Sequence, residues 1–95
     1  MDTYTKAHMF LYHLKEGKGY KTSLDTKVIC VKRTKKKIFL SNGVLIHLKE
    51  KNGMQYFSSA SLVRGHKRFE YLNQILRDIE GYLIYKLHAN FPALY

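Results

Sequence analysis

Alternating apolar and polar positions dominate the middle of the chain. Residues 27–33 form a short β-branched run, which predicts a strand. Asn42-Gly43 and Asn52-Gly53 each lie between apolar runs. Asn-Gly in that setting is the strongest short-range signal for a β-hairpin, because both residues tolerate positive φ. The pattern therefore predicts a four-stranded antiparallel meander over residues 27–58.

The two turns also predict which side chains share a face of the sheet. A two-residue loop in the first hairpin pairs Phe39 with Ile46, and one in the second pairs Leu48 with Phe57. Because strand side chains alternate, Ile46 and Leu48 lie on the same side of their strand, and these four residues share one predicted core face. The opposite face receives a mixture of apolar, aromatic and basic side chains: Ile38, Leu45, His47, Lys49 and Tyr56.

Helical spacing follows in the last third of the chain. Apolar residues recur every three or four positions across residues 67–88, which predicts one long helix. The predicted stripe consists of Phe69, Leu72, Leu76, Ile79, Leu83 and Leu87. Gly81 costs about 1 kcal/mol inside a helix, and it marks either close packing on the sheet or a helix break.

Residues 5–15 fit both a helix and a strand. The alternation of Phe10, Tyr12 and Leu14 favours a strand that pairs with the meander. The predicted fold class is therefore α+β, with strands over about 8–58 and a helix over about 67–88. We expect a single domain over residues 1–95: an antiparallel meander of four or five strands, curled or barrel-like, with one long C-terminal helix.

Composition limits the function classes. The single cysteine, Cys30, excludes an internal disulfide and a cysteine-based zinc site, and its apolar surroundings favour a buried structural thiol. The first 14 residues do not have the order of a signal peptide. No apolar run approaches ~18 residues, so no membrane span is expected. The sequence predicts a cytoplasmic protein without a cofactor.

Positive charge is concentrated between Lys15 and Lys51. The chain carries 17 lysines and arginines against seven acids, a formal net charge of +10. Eleven of these cations and only three acids lie in this stretch, which leaves +8 of the total there. Because the stretch is predicted to form strands and tight turns, its charges would share one compact surface. A polyanion is the natural partner of such a surface, and nucleic acid is the commonest polyanion.

Two basic clusters are candidate phosphate-binding segments. The run 32–37 places five positive charges in six residues at a predicted hairpin tip, where they repel one another unless a polyanion or salt is present. The cluster 64–68 directly precedes the predicted helix, whose free N–H groups attract phosphate. The alternative for both clusters is a solvated turn or connector. Their candidate contacts are Lys32, Arg33, Lys35, Lys36, Lys37, Arg64, Lys67 and Arg68.

Tyr20 and Tyr56 are the candidates for stacking on bases. Tyr20 lies between two lysines, and Tyr56 shares the mixed face with Lys49. Basic side chains interleaved with exposed rings bind single-stranded nucleic acid by stacking. The candidate set therefore also contains Lys18, Tyr20, Lys21, Lys49 and Tyr56. Most of the other rings are expected in the core.

The five histidines carry a weaker chemical signal. No pair has a recognised zinc spacing, so no metal site is predicted. A ribonuclease would need an acid/base pair near cations, and His47 with Glu50 or with His66 could supply one if the fold joined them. No catalytic residue is assigned, because the chain has no phosphate loop, nucleophile elbow or paired carboxylate motif.

The hairpin segment Thr-Lys-Lys-Lys-Ile-Phe-Leu-Ser-Asn-Gly at residues 34–43, in a short chain rich in Lys, Tyr and Ile, resembles small basic accessory proteins of T-even-like phages. That group includes an RNA-binding inhibitor of a ToxN-type RNase toxin. The resemblance is one of size, charge and style, so it transfers no functional residue. It implies RNA binding and suppression of a host toxin–antitoxin defence, with the host RNase bound together with RNA.

The leading interpretation is a non-enzymatic RNA-binding protein with little sequence preference. Three alternatives remain open: a double-stranded DNA-binding protein, a small ribonuclease, and a module that docks on an acidic host protein. The helix stripe could also support a homodimer, with Tyr85, Leu94 and Tyr95 extending its apolar patch.

Overall fold

Two helices and five strands make up the fold of this computed structural model, which describes residues 2–62 and 68–90. Along the chain they are α1 (Thr3–Tyr12), β1 (Gly19–Lys21), β2 (Lys27–Arg33), β3 (Lys37–Leu40), β4 (Val44–Lys51), β5 (Met54–Leu62) and α2 (Arg68–Asn90). The strands form one antiparallel sheet in chain order. The predicted α+β class, the curled meander and the long C-terminal helix are confirmed. Neither helix, over the residues described, has the length and apolar content to cross a membrane.

The second hairpin turn forms as predicted. Asn52 and Gly53 both have positive φ, 53° and 77°, and Lys51 pairs with Met54 around a two-residue loop. Leu48 therefore lies opposite Phe57, as the sequence indicates.

The first hairpin has a different register. Ile38 pairs with Ile46 and Phe39 with Leu45, so three residues (41–43) form the loop between β3 and β4. Three-residue hairpin loops end in a residue with positive φ, and Gly43 supplies it at 86°. The predicted pairing of Phe39 with Ile46 is wrong, because Ser41 belongs to the loop. Ile38 is fully buried in place of Phe39, which faces the other side of the sheet.

The N-terminal segment is a helix, so the preferred strand prediction is wrong. Asp2 caps it by accepting a hydrogen bond from the Thr5 N–H at 2.6 Å. Ala7 and Leu11 are buried four positions apart on one side of the helix, and Leu14 is buried just after its end. The alternation that suggested a strand therefore joined residues from different sides of the helix.

The core lies between one face of the sheet and the two helices. From α2, Leu72, Ile75, Leu76 and Ile79 are buried in it, as the helical stripe predicts. The stripe does not continue to the end of the helix, since Leu87 is 51% exposed. The Phe69 side chain lies outside the described part of the chain.

Gly81 fits neither of the two roles proposed for it. It lies within the uninterrupted span of α2, so it does not break the helix. A Cβ built on it would meet nothing within 4 Å, so close packing does not require glycine there.

Strand β1 begins at Gly19, shortly after the turn at Glu16 and Gly17. A Cβ on Gly19 would overlap the backbone carbonyl of Val28, so only glycine lets the two strands approach this closely. The next residue, Tyr20, turns its side chain into the core.

Candidate nucleic-acid interface

The face of the sheet turned away from the helices is called the outer face below. Alternation from the buried strand residues defines its members. Its basic members are Lys21, Lys27, Lys32, Lys37, Lys49 and Lys51, all exposed. The others include Ile29, Val31, Phe39, Leu45, His47, Tyr56, Ser59 and Ser61. This face therefore combines many cations with aromatic and hydroxyl groups.

A β-bulge at Val31 determines which basic residue reaches the outer face. The register shifts between Cys30 and Lys32, so Cys30 opposes Leu40 while Lys32 opposes Phe39. Without the extra residue, Lys32 would share the inner side with Cys30, because strand side chains alternate. The bulge turns Lys32 outward and Arg33 inward.

Two cross-strand rows organise the centre of the outer face. In the first, Phe39 lies between Lys32 and Leu45. In the second, His47 lies between Lys37 and Ser59. Strands in a sheet lie about 4.8 Å apart, so each row places a lysine directly beside a ring.

His47 also joins the two rows through Ser61. Its Nε2 is 3.2 Å from the Ser61 Oγ, in a partly buried side-chain hydrogen bond. Ser61 itself lies opposite Leu45. The bond limits the rotation of the imidazole on the outer face.

Tyr56 and Lys49 extend the outer face towards the second hairpin. They are paired across β4 and β5, and Tyr56 is 44% exposed. The sequence analysis placed both residues on one mixed face with His47 and Leu45, and the structure confirms that grouping.

In the strands as far as the structure describes them, no outward position carries a carboxylate. Glu50 lies between Lys49 and Lys51 in the chain but alternates to the other side of β4, and Asp25 lies in the β1–β2 turn. Its Oδ1 is 3.4 Å from the Lys21 Nζ, and both side chains are well exposed, 84% and 55%. Such an exposed pair contributes little energy, so Lys21 remains able to bind another anion.

The remaining lysines of the 32–37 run form the tip of the β2–β3 turn. Lys35 and Lys36 are exposed there, as predicted. The Thr34 Oγ1 accepts hydrogen bonds from the Lys36 and Lys37 N–H groups, at 3.3 and 3.0 Å. Thr34 therefore shapes the turn instead of presenting its hydroxyl to a phosphate.

Tyr20 is not a stacking residue, and that prediction is wrong. Its side chain is 1% exposed and packs in the core. Burial, followed by the charge of Asp78, raises the pKa of its phenol far above the ordinary value. Lys21 is exposed on β1 and Lys18 is exposed just before it, whereas strand alternation turns Tyr20 inward.

Arg33 has a structural role in place of the predicted phosphate contact. Its Nη1 donates a 2.9 Å hydrogen bond to the Leu14 carbonyl, and its guanidinium lies 5.9 Å from the centre of the Tyr12 ring. Its backbone N–H donates to the Glu16 Oε1 at 3.0 Å. These contacts fasten the end of α1 to β2.

The other predicted contacts lie away from the outer face or cannot be placed. Lys18 is exposed just before β1, where its carbonyl accepts a hydrogen bond from the Cys30 N–H at 2.8 Å. Arg64 and Lys67, and the side chain of Arg68, lie outside the described residues. The relation between the two basic clusters therefore stays a prediction.

The catalytic and metal-binding alternatives gain no geometric support. His47 points outward, whereas Glu50, three positions along the same strand, alternates to the other side. His66 lies outside the described residues. Within residues 2–62 and 68–90, no group of three His, Cys, Asp or Glu side chains could hold a metal ion. Cys30 is buried, and burial raises the pKa of its thiol, which disfavours the reactive thiolate.

Sequence reasoning missed several members of the outer face. Phe39 was assigned to the core, Lys27 and Lys51 were counted in the charge but not selected as contacts, and Ser59 and Ser61 were not assigned to this face. The sequence Ser-Asn-Gly at 41–43 could have indicated a three-residue loop, which moves Phe39 outward. No feature of the sequence around Val31 predicts the β-bulge there in a comparable way.

Comparison of the chain with protein-family models, with curated proteins and with solved structures finds no match.

Proposed function

We propose that this protein binds single-stranded RNA on the outer face, without catalysis and with little sequence preference. The observation that carries the proposal is the composition of that face: six exposed lysines, the rings of Phe39, His47 and Tyr56, and no carboxylate at an outward strand position. The lysines attract the phosphates, and the rings offer stacking platforms to the bases.

The shape of the surface favours a single strand over a duplex. Rings within a five-stranded sheet can stack only on bases that are free of their own stack, as in single strands and loops. In a duplex the bases are stacked and only their edges are accessible in the grooves. A duplex would therefore use the lysines but not Phe39 or Tyr56.

Hydroxyl groups on the outer face support RNA over DNA. Ser59 and Ser61 lie on β5 beside His47, within the same two rows as Lys37 and Leu45. A 2′-hydroxyl both donates and accepts hydrogen bonds, and it is the group by which a site distinguishes RNA from DNA. Serine hydroxyls beside the stacking rings are suitable partners for it.

The test measures binding of a labelled single-stranded RNA by fluorescence anisotropy between 50 and 300 mM salt. For single strands, log K falls with log salt by about 0.7 for each phosphate neutralised, so six lysines give a slope near −4. A triple variant, Lys32→Gln with Lys37→Gln and Lys49→Gln, should reduce the magnitude of that slope by about 2.

The matched control removes three exposed charges from outside the sheet. Lys6, Lys15 and Lys86 are exposed and do not belong to the sheet. The triple variant Lys6→Gln, Lys15→Gln and Lys86→Gln has the same net charge as the first, and we expect it to keep most of the slope. Equal losses in the two triple variants would show that overall charge, and not the outer face, binds the RNA.

A DNA strand of the same sequence and an RNA duplex complete the test. Tighter binding of the single-stranded RNA than of either is expected. Equal binding of all three would contradict the roles given to the rings and hydroxyls. Inhibition of a host toxin–antitoxin RNase, which the resemblance to phage accessory proteins implies, stays a prediction for a later assay.

A further inference from the structure

A cleft of about 300 Å³ lies between the β1–β2 turn and helix α2. Its lining comes from the turn residues Lys21, Thr22, Ser23 and Asp25 and from Arg77, Asp78, Gly81, Tyr82 and Tyr85 of the helix. Small-molecule sites begin at roughly this volume. The cleft therefore has room for a ligand the size of a single nucleoside.

Gly81 lies where a side chain from α2 would enter this cleft. The helix does not need glycine at this position, since a Cβ there would meet nothing within 4 Å. Glycine nevertheless costs a helix about 1 kcal/mol relative to alanine. Gly81 therefore leaves an open space at the lining of the cleft, and a larger side chain would fill that space.

Asp78 gives the cleft a carboxylate. The residue is partly buried where α2 faces the β1–β2 turn. On the adjoining strand β1, the Tyr20 hydroxyl is buried without a hydrogen-bond partner among the described residues. A carboxylate offers two acceptor oxygens, so it pairs with a ligand that presents two adjacent donors.

Rings and cations complete the lining. Tyr85 is 65% exposed and Tyr82 is partly buried, so a planar ligand can stack against a ring. Arg77 and Lys21 are exposed at the same cleft and can bind an anionic group. A planar base with two adjacent donors and a phosphate satisfies all of these groups together.

We propose that this cleft is a binding site for a guanine nucleotide, with Asp78 accepting from the N1–H and the 2-amino group of the base. The phosphate lies towards Arg77 and Lys21. The nucleotide can be free or part of an RNA strand. The free-nucleotide form of the proposal does not depend on RNA binding by the outer face, whereas the RNA form rests on that proposed function.

The first measurement titrates the full chain with GMP, AMP, CMP and UMP while amide shifts are recorded by NMR. Saturable shifts at Thr22, Ser23, Arg77 and Tyr85 with GMP, and at least about tenfold weaker binding of the other three, are expected. Absence of saturable GMP binding at 10 mM, or equal binding of all four nucleotides, would overturn the proposal.

Two variants and one control locate the site. Gly81→Leu fills the cleft while favouring the helix, so it should fold at least as stably as the wild type and lose GMP binding. Asp78→Asn should remove the preference for GMP over AMP. Glu80→Gln removes a carboxylate from the same helix but not from the lining, and should leave binding unchanged. Unchanged binding in Gly81→Leu would place the ligand elsewhere and overturn the assignment.

The RNA arm compares two labelled strands of equal length, one of uridines and one with a single guanosine. If the cleft takes a base from RNA, the guanosine strand binds more tightly, and Gly81→Leu removes only that difference. If both strands bind equally while GMP still binds, the site serves free nucleotides. If neither strand binds while GMP still binds, the proposed binding of RNA by the outer face is contradicted. The nucleotide site in the cleft then remains supported.

Discussion

Phe39 on β3 lies directly opposite Lys32 on β2, one residue after a β-bulge in β2. The pairing places a ring and an ammonium group side by side on the outer face. Neither residue would lie there if the chain followed the simplest register: Phe39 needs the three-residue loop, and Lys32 needs the bulge. Two local irregularities therefore produce the centre of the proposed RNA-binding surface.

Replacement of Phe39 by leucine tests the contribution of its ring. Leucine keeps the apolar contact with Leu45 but cannot stack on a base, so RNA affinity should fall roughly fivefold or more. The loss should be similar at low and high salt, because stacking releases no counterions. Anisotropy at two salt concentrations measures it. Tyr4→Leu, at an exposed ring on α1, is the control and should bind like the wild type.

Arg33 should matter for stability more than for RNA binding. Arg33→Met removes the hydrogen bond to the Leu14 carbonyl, and we expect a loss of about 1–2 kcal/mol in the free energy of unfolding. Urea unfolding measures this loss, and RNA anisotropy on the folded variant should show a smaller effect than Lys32→Gln. If Arg33→Met lowers the free energy of RNA binding more than the free energy of unfolding, Arg33 contacts phosphate and its structural role is secondary.

Gly19→Ala should destabilise the protein strongly. The added methyl group overlaps the Val28 carbonyl, and backbone cannot move aside as a flexible side chain can. Separating β1 from β2 would also disturb the burial of Tyr20, so a loss of several kcal/mol is expected. Thermal unfolding checks it. Gly81→Ala provides the contrast, because alanine should raise the free energy of unfolding by about 0.5–1 kcal/mol there.

Asp78 should make the protein more stable as the pH falls. Burial raises the pKa of its carboxyl in the folded state above the ordinary 3.8, and the Ser23 backbone N–H opposes that rise. The folded state therefore binds a proton more readily than the unfolded state, and protonation favours folding. Asp78→Asn should exceed the wild type in stability at pH 7, and the difference should vanish below about pH 3.8.

Thermal unfolding from pH 3 to pH 7 measures both proteins. Asp25→Asn serves as a control because that carboxylate is 84% exposed, and its effect on stability should be small at every pH. A wild type that is more stable than Asp78→Asn at pH 7 would contradict the expected sign.

Local signals predicted much of the sheet. Asn52-Gly53 determined its own turn type and the pairing of Leu48 with Phe57, because both residues adopt positive φ within the turn. The grouping of His47, Lys49 and Tyr56 on one face followed from this hairpin register together with alternation. These predictions needed only neighbouring residues in the chain.

Contacts between distant segments were not predictable in the same way. The direction of Tyr20 depends on the pairing of β1 with β2, and the role of Arg33 depends on the position of the end of α1. For residues 5–15 the alternating pattern predicted a strand, which is wrong. The segment is helical because its contacts with other elements bury Ala7, Leu11 and Leu14 in the core. In each case tertiary packing overrides a pattern that is ambiguous over a short window.

The chain order of the strands has a consequence for how fast this protein reaches its native state. Every strand pairs with the strand next to it in the chain, and three of the four strand connections are two or three residues long. Hairpins of this kind close in about 1–10 μs, because little loop entropy is lost. The contacts of α2 with α1 and with β1 join the two ends of the chain. We therefore expect this late closure, and not sheet formation, to limit the folding rate.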